Sequence, residues 1–146
     1  MFKSKKGKSK ILSLYDKKLE SLNLDFEYLT VQTSFGKTNI IATGDPANPP
    51  IIIVHGSNGC APIALETYAD LHKTYRVFAV DVLAQPNKSA ETRLSMKDDS
   101  YGKWMNEIIT DLKIESVTMA GFSFGGLIIL KTLENDETRI KEVYLS

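Results

Sequence analysis

Val117-Thr118-Met119-Ala120-Gly121-Phe122-Ser123-Phe124-Gly125-Gly126-Leu127-Ile128-Ile129-Leu130 is the stretch from which the rest of the chain can be read. A short apolar run gives way to a glycine-flanked serine, and a second apolar run follows. The first run is the length of a buried strand. The second has the composition of a buried helix. A strand that turns into a helix across one serine needs a turn so tight that its neighbours can carry almost no side chain. Gly121 and Gly125 meet that need, and Gly126 is expected to let helix and strand approach further. Such a turn lifts the Ser123 hydroxyl off the strand end. It also sets the hydroxyl at a helix N-terminus, where unpaired N–H groups favour negative charge.

A second cluster lies upstream. Pro50-Ile51-Ile52-Ile53-Val54 reads as a strand buried on both faces, and His55-Gly56-Ser57-Asn58-Gly59 follows at once. Gly121-Phe122-Ser123-Phe124-Gly125 matches the G-x-S-x-G nucleophile elbow, and His55 to Gly59 matches an H-G-x-x-G oxyanion loop. On these two motifs, in this order, the chain resembles the α/β-hydrolase family, and its carboxylesterase-like branch in particular, over roughly residues 26–146. The resemblance implies a Ser123 nucleophile and an oxyanion hole made by the backbone N–H groups of Phe124 and Ser57, with Asn58 as the fallback donor. It implies structural roles for His55, Gly56, Gly59, Gly121 and Gly125.

Asp81 ends another buried strand and resembles the aspartate of the family's D-x-x-G-x-G-x-S loop. The loop here reads Asp81-Val82-Leu83-Ala84-Gln85-Pro86-Asn87-Lys88-Ser89, so Ala84 and Pro86 replace both loop glycines while Ser89 keeps the serine. A structural role is expected for Asp81, tying the loop to nearby N–H groups. Serine at the nucleophile position separates the chain from the dehalogenase and epoxide-hydrolase branches, which carry aspartate there.

Around these motifs the pattern is that of an α/β protein. Residues 25–33 and 38–43 read as strands of an antiparallel hairpin turning through Ser34-Phe35-Gly36-Lys37. A helix is expected over residues 61–75, a strand over 76–81 and a mostly irregular stretch over 83–99. Tyr101, Trp104, Met105, Ile108 and Leu112 share one helical face. Val143-Tyr144-Leu145 starts a last strand. Alternating apolar strands and helices imply a mostly parallel sheet with helices on both faces. The expected strand order places 51–54 between the strand ending at Asp81 and the one ending at Gly121. The hairpin then lies outside the former and 143–145 outside the latter.

At the N-terminus, Lys3, Lys5, Lys6, Lys8 and Lys10 form a basic run, read as a solvated tail. Ile11, Leu14, Tyr15, Leu19 and Leu22 then recur at helical spacing, with Ser9 as a possible N-cap. The expected organisation is a tail and amphipathic helix over 1–24, then the N-terminal part of a hydrolase domain over 25–146.

Composition narrows the function classes. Eighteen basic and eighteen acidic residues balance, which argues against a nucleic-acid partner. No apolar run approaches the ~20 residues of a membrane span. The lone Cys60 excludes an internal disulfide and suits a cytoplasmic protein. His55 lacks partners at metal-ligand spacing, and the glycine-rich turn lacks the lysine of a phosphate cradle, so no metal and no cofactor is expected. Cys60 reads as a packing residue.

A serine hydrolase also needs a base and an acid. The only histidines, His55 and His72, both precede Ser123, whereas the family places its acid and then its histidine after the nucleophile. The resemblance therefore implies that both lie beyond residue 146, that the fold is a truncated α/β hydrolase, and that these 146 residues alone are inactive. The expected activity is hydrolysis of a small-molecule carboxylic ester. A non-catalytic binding module, and an acyltransferase or cofactor-free peroxidase on the same scaffold, are the alternatives.

Overall fold

A computed structural model describes residues 2–146. The strands are β1 (Phe26–Thr33), β2 (Gly36–Thr43), β3 (Pro50–Val54), β4 (Arg76–Val80), β5 (Val117–Gly121) and β6 (Ile140–Leu145). The helices are α1 (Lys5–Ser21), α2 (Ala61–Thr67), α3 (Ser100–Asp111) and α4 (Phe124–Asn135). One six-stranded sheet runs in the order β1-β2-β4-β3-β5-β6. The β1–β2 hairpin is antiparallel and joins β4 antiparallel, while β4, β3, β5 and β6 are mutually parallel. This is the expected order, with β3 at the centre.

Strand alternation explains the two layers of core. Ile52 and Val54 of β3 face Trp104, Met105, Ile108 and Ile109 of α3 and Ile128 and Ile129 of α4. Ile51 and Ile53 face the other way, onto Tyr15 and Leu19 of α1 and Ala61, Ala64 and Leu65 of α2. Every residue from Ile51 to Val54 is buried, as a strand covered on both faces requires. Trp104 is fully enclosed, and its indole N–H donates to Thr38 Oγ1 at 2.8 Å, so the ring's one polar atom is satisfied.

Three local expectations are corrected. α1 starts at Lys5 and takes Ser4 as its N-cap, with Gly7 N–H donating to Ser4 Oγ, so Ser9 lies inside the helix and much of the lysine run is helical. The helix expected over 61–75 stops at Thr67, and a single 3-10 turn at Leu71–Lys73 follows. Asp70 adopts φ +70° there, a left-handed break that no hydrophobic pattern announces. The two glycines of the elbow helix also differ. A methyl on Gly125 would lie 2.2 Å from the Val54 carbonyl oxygen, whereas a methyl on Gly126 would meet nothing closer than 3.6 Å. Gly125 alone lets α4 press onto the end of β3; Gly126 is not needed for close approach.

No helix of the described residues is long and apolar enough to cross a membrane. Among the described residues β6 is an edge strand with β5 as its one neighbour, and Tyr144 and Leu145 are exposed on it.

The glycine contrast gives opposite expectations for two adjacent substitutions. Gly125→Ala must move backbone and should cost more than about 3 kcal/mol. Gly126→Ala should be neutral or stabilise by up to about 1 kcal/mol through helix propensity. Urea unfolding of both variants reads the difference directly.

Candidate active site

The β3, β4 and β5 loops meet at the carboxyl edge of the sheet. Val54 and Gly121 are register partners at the ends of β3 and β5. Gly56 then passes against the elbow: a methyl there would lie 3.1 Å from the Phe122 ring and 3.5 Å from Ser123 Cβ. Gly121 is equally constrained, with a methyl position 2.8 Å from Ile129 and 2.9 Å from the Gly125 backbone.

Ser123 itself has φ +53° and ψ −123°, a conformation that non-glycine residues seldom adopt. The surroundings hold it there. Its N–H donates to the Ser146 carbonyl at 3.1 Å, and Ser146 N–H donates back to the Gly121 carbonyl at 3.0 Å. Its own carbonyl accepts from Leu127 N–H, the first bond of α4. The hydroxyl is left on an exposed residue and has no hydrogen-bond partner among the described residues. Phe124 follows, its ring edge-on to Tyr101 at 5.4 Å. Neither the Phe124 N–H nor the Ser57 N–H has an acceptor among the described residues.

Asn58 is different. Its N–H donates to Gln85 Oε1 at 2.6 Å, so the group considered as a fallback donor is already engaged. Asn58 has φ +59° in the turn that Gly59 N–H closes onto the Gly56 carbonyl. Asparagine tolerates that left-handed conformation. Gly59 is required by space: a methyl there would lie 2.9 Å from the Gly56 oxygen and 3.0 Å from His55 Nδ1.

His55 is fully buried beneath these loops. Its Nε2 accepts the Val82 N–H at 3.0 Å, which fixes the proton on Nδ1, and Nδ1–H donates to the Gly56 carbonyl at 2.7 Å. Burial disfavours the imidazolium and lowers its pKa to about 4, against a small upward pull from the Gly56 carbonyl. His72 lies in the 3-10 turn that leads into the opposite, amino end of β4.

Asp81 is also fully buried. Its Oδ2 accepts from Tyr15 O–H at 2.8 Å, Asn39 Nδ2 at 3.0 Å and Lys88 N–H at 3.3 Å; its Oδ1 accepts from Ala61 N–H at 2.7 Å. Burial raises its pKa, and these four donors oppose the rise. The Ala61 bond supplies a cap for α2, whose own N-cap residue Cys60 makes none. Cys60 is buried, and desolvation pushes its thiol up to about 11, which fits packing rather than reactivity.

The irregular stretch after β4 is held by side chains. Asn87 Nδ2 donates to the Val82 carbonyl at 2.9 Å, Ser89 Oγ donates to the Asp81 carbonyl, and Asn39 N–H donates to Ser89 Oγ. Ala84, where the resembled loop carries a glycine, has φ +58°, a left-handed turn made here without a glycine. Sequence reading missed Tyr15, Asn39, Gln85 and Asn87. In the sequence Tyr15 is one residue of an apolar helical face, and single polar residues in a loop carry no periodic signal.

Beside Asn58 an apolar hollow of about 320 Å³ is lined by Ile11, Leu14, Cys60, Ile63 and Pro86. Another hollow, of about 600 Å³, is lined by Phe35, Asn106, Glu107 and Arg139 among others and includes none of the motif residues. No group of acidic, histidine and cysteine side chains able to hold a metal occurs among the described residues.

This sheet order, with a strained serine between β5 and α4 and a glycine loop after β3, defines a protein class. Residues 49–146 match the description of the α/β hydrolase fold, and the chain belongs to that family. Its relatives include carboxylesterase YbfK of Bacillus subtilis, 30% identical over 127 residues, covering 87% of this chain and 43% of YbfK. The carboxylesterase nap of the same organism is 32% identical over 111 residues, covering 76% of this chain and 37% of nap. The crystal structure of naproxen esterase (carboxylesterase NP) from B. subtilis superposes with a TM-score of 0.87 at 29% identity, covering 96% of this chain and 49% of that one. The chain thus spans less than half the length of these relatives.

The state of His55 sets a pH dependence. Its folded pKa lies below the ordinary 6.5, so the stability it contributes is complete above pH 6.5 and is lost as pH falls toward 4. Within that window the loss approaches about 1.4 kcal/mol per pH unit. Denaturation from pH 7.5 to 4.5 should show a shallower slope for His55→Gln than for the parent. Should that variant not fold, the His55 ring resonances in the parent should stay constant from pH 8 to 5.

Proposed function

We propose that the chain is the nucleophile-bearing part of a carboxylic ester hydrolase. Ser123 Oγ attacks the acyl carbon while a general base takes its proton. The tetrahedral oxyanion is held by the N–H groups of Phe124 and Ser57. Collapse expels the alcohol with a returned proton and leaves an acyl-enzyme on Ser123, which water hydrolyses.

The observation that carries this reading is the exposed, unbonded hydroxyl of Ser123 on a strained backbone, with the acceptor-free N–H of Phe124 next in the chain and that of Ser57 directly after Gly56, which packs against Phe122 and Ser123. Strain of this kind, of order 1–3 kcal/mol, persists only where the surroundings over-determine it, and it clusters at functional sites. The relatives named as carboxylesterases favour ester chemistry over other uses of the scaffold. They favour a small-molecule ester as substrate.

The base has to come from outside residues 1–146. His55 has both ring nitrogens engaged, and His72 is at the far end of β4. The single cysteine, buried and unpaired, favours a cytoplasmic setting.

In the full-length protein, Ser123→Ala should lower p-nitrophenyl ester turnover by at least about 10³-fold. Stability should change by no more than about 0.5 kcal/mol, because the lost hydroxyl is exposed. Labelling by a fluorophosphonate probe should vanish with it. Residues 1–146 alone should turn over the ester no faster than their Ser123→Ala variant. Comparable turnover by the full-length Ala variant would sink the assignment.

A further inference from the structure

We infer that Gln85 is a positioning residue for the oxyanion loop, gripping its backbone from outside the motif. The inference rests on the hydrolase reading above. Gln85 Oε1 accepts the Asn58 N–H at 2.6 Å, one residue beyond the Ser57 N–H proposed as an oxyanion donor. A backbone N–H can only donate, so the side-chain oxygen, not the nitrogen, faces the loop.

The need for such a grip follows from the loop's own bonds. The turn from Gly56 to Gly59 is closed by one internal bond, Gly59 N–H to the Gly56 carbonyl at 3.1 Å. Its first half is pinned by His55 Nδ1–H, which donates to the Gly56 carbonyl at 2.7 Å. Ser57 and Asn58 are exposed, and Asn58 sits at φ +59°. Without a further contact, the peptide joining Ser57 to Asn58 has no bond to hold its orientation. The Ser57 N–H shares a planar peptide with the Gly56 carbonyl, and the Gln85 bond restrains the next peptide, so that the turn closed by Gly59 keeps its shape and holds the Gly56–Ser57 peptide, with its N–H, in place.

Gln85 can do this because its own backbone is fixed. It lies between Ala84, whose N–H donates to the Ala90 carbonyl at 2.9 Å, and Asn87, whose N–H donates back to the Gln85 carbonyl at 2.7 Å. Asn87 is in turn buried against Val82. The grip therefore runs from the β4 loop to the β3 loop and couples the two. An oxyanion donor displaced by about 1 Å can lose up to about 10²-fold in rate, so a lost grip should appear in kcat. It should leave ground-state binding, and KM, nearly unchanged.

Two measurements test this. On residues 1–146, amide exchange at Asn58 should rise at least tenfold in Gln85→Met, which keeps side-chain length and loses the carbonyl. It should stay protected in Gln85→Glu, which keeps an acceptor. Unchanged Asn58 exchange in Gln85→Met would overturn the grip. In the full-length protein, Gln85→Met should lower kcat for a p-nitrophenyl ester about tenfold or more, with KM within about twofold. A kcat equal to that of the parent would overturn the positioning role. Ser123→Ala, run alongside, separates the two ideas: activity surviving that substitution defeats the hydrolase reading, whereas activity lost there but intact in Gln85→Met defeats only the role of Gln85.

Discussion

The structure depends on a buried carboxylate with no direct cationic partner among the described residues. Asp81 has no exposed surface, and an isolated charge in such a place would be too costly to keep. Its four hydrogen bonds make the position tolerable, and each comes from a different part of the chain: Tyr15 from α1, Asn39 from β2, Ala61 from the start of α2 and Lys88 from the loop that Asp81 itself opens. Remove any one and the carboxylate loses a donor in a medium that cannot replace it with water. The packing of α1, the cap of α2 and the path of the long loop are thereby set by one side chain. Lys88 adds to this from the outside, with its ammonium over the Tyr15 and Tyr28 rings and paired to Asp16 at 2.6 Å.

The elbow is held by shape rather than by charge. Gly125 lies against the Val54 and His55 carbonyls, and Gly121 against Ile129, so strand and helix leave only one path between them. Ser123 takes the backbone angles that path leaves. The residue held in a seldom-populated backbone conformation is therefore the one whose hydroxyl is exposed and unbonded, and neighbouring packing supplies the energy that keeps it there.

Much of this could be read from the residues in order. The run from Val117 to Leu130 announces its strand, turn and helix because glycines at fixed offsets have one economical explanation. The continuous apolar runs of β3 and β4 announce a sheet covered on both faces. What could not be read is of two kinds. The break at Asp70 and the turn at Ala84 put non-glycine residues at positive φ, where propensity points elsewhere and tertiary contacts decide. The bonds of Tyr15, Asn39, Asn87 and Gln85 join residues far apart in sequence, and polarity at a single position does not say what it will meet. Gly126 shows the converse: a residue type that suggests close approach stands where there is room to spare.

The pairing of Tyr15 with Asp81 spans 66 positions, and that separation has a consequence for the order of events during synthesis. α1 emerges from the ribosome before any of the residues it packs against. At roughly 5–20 residues per second, the aspartate follows after about 3–13 s. A lone helix of this length is marginal in water, and this one carries a glycine at position 7 and lysines through its first turns. During that interval Tyr15 and Leu19 have no core to enter. The α1 segment is therefore made well before its partners and, because its contacts are so distant, is among the last parts to be folded.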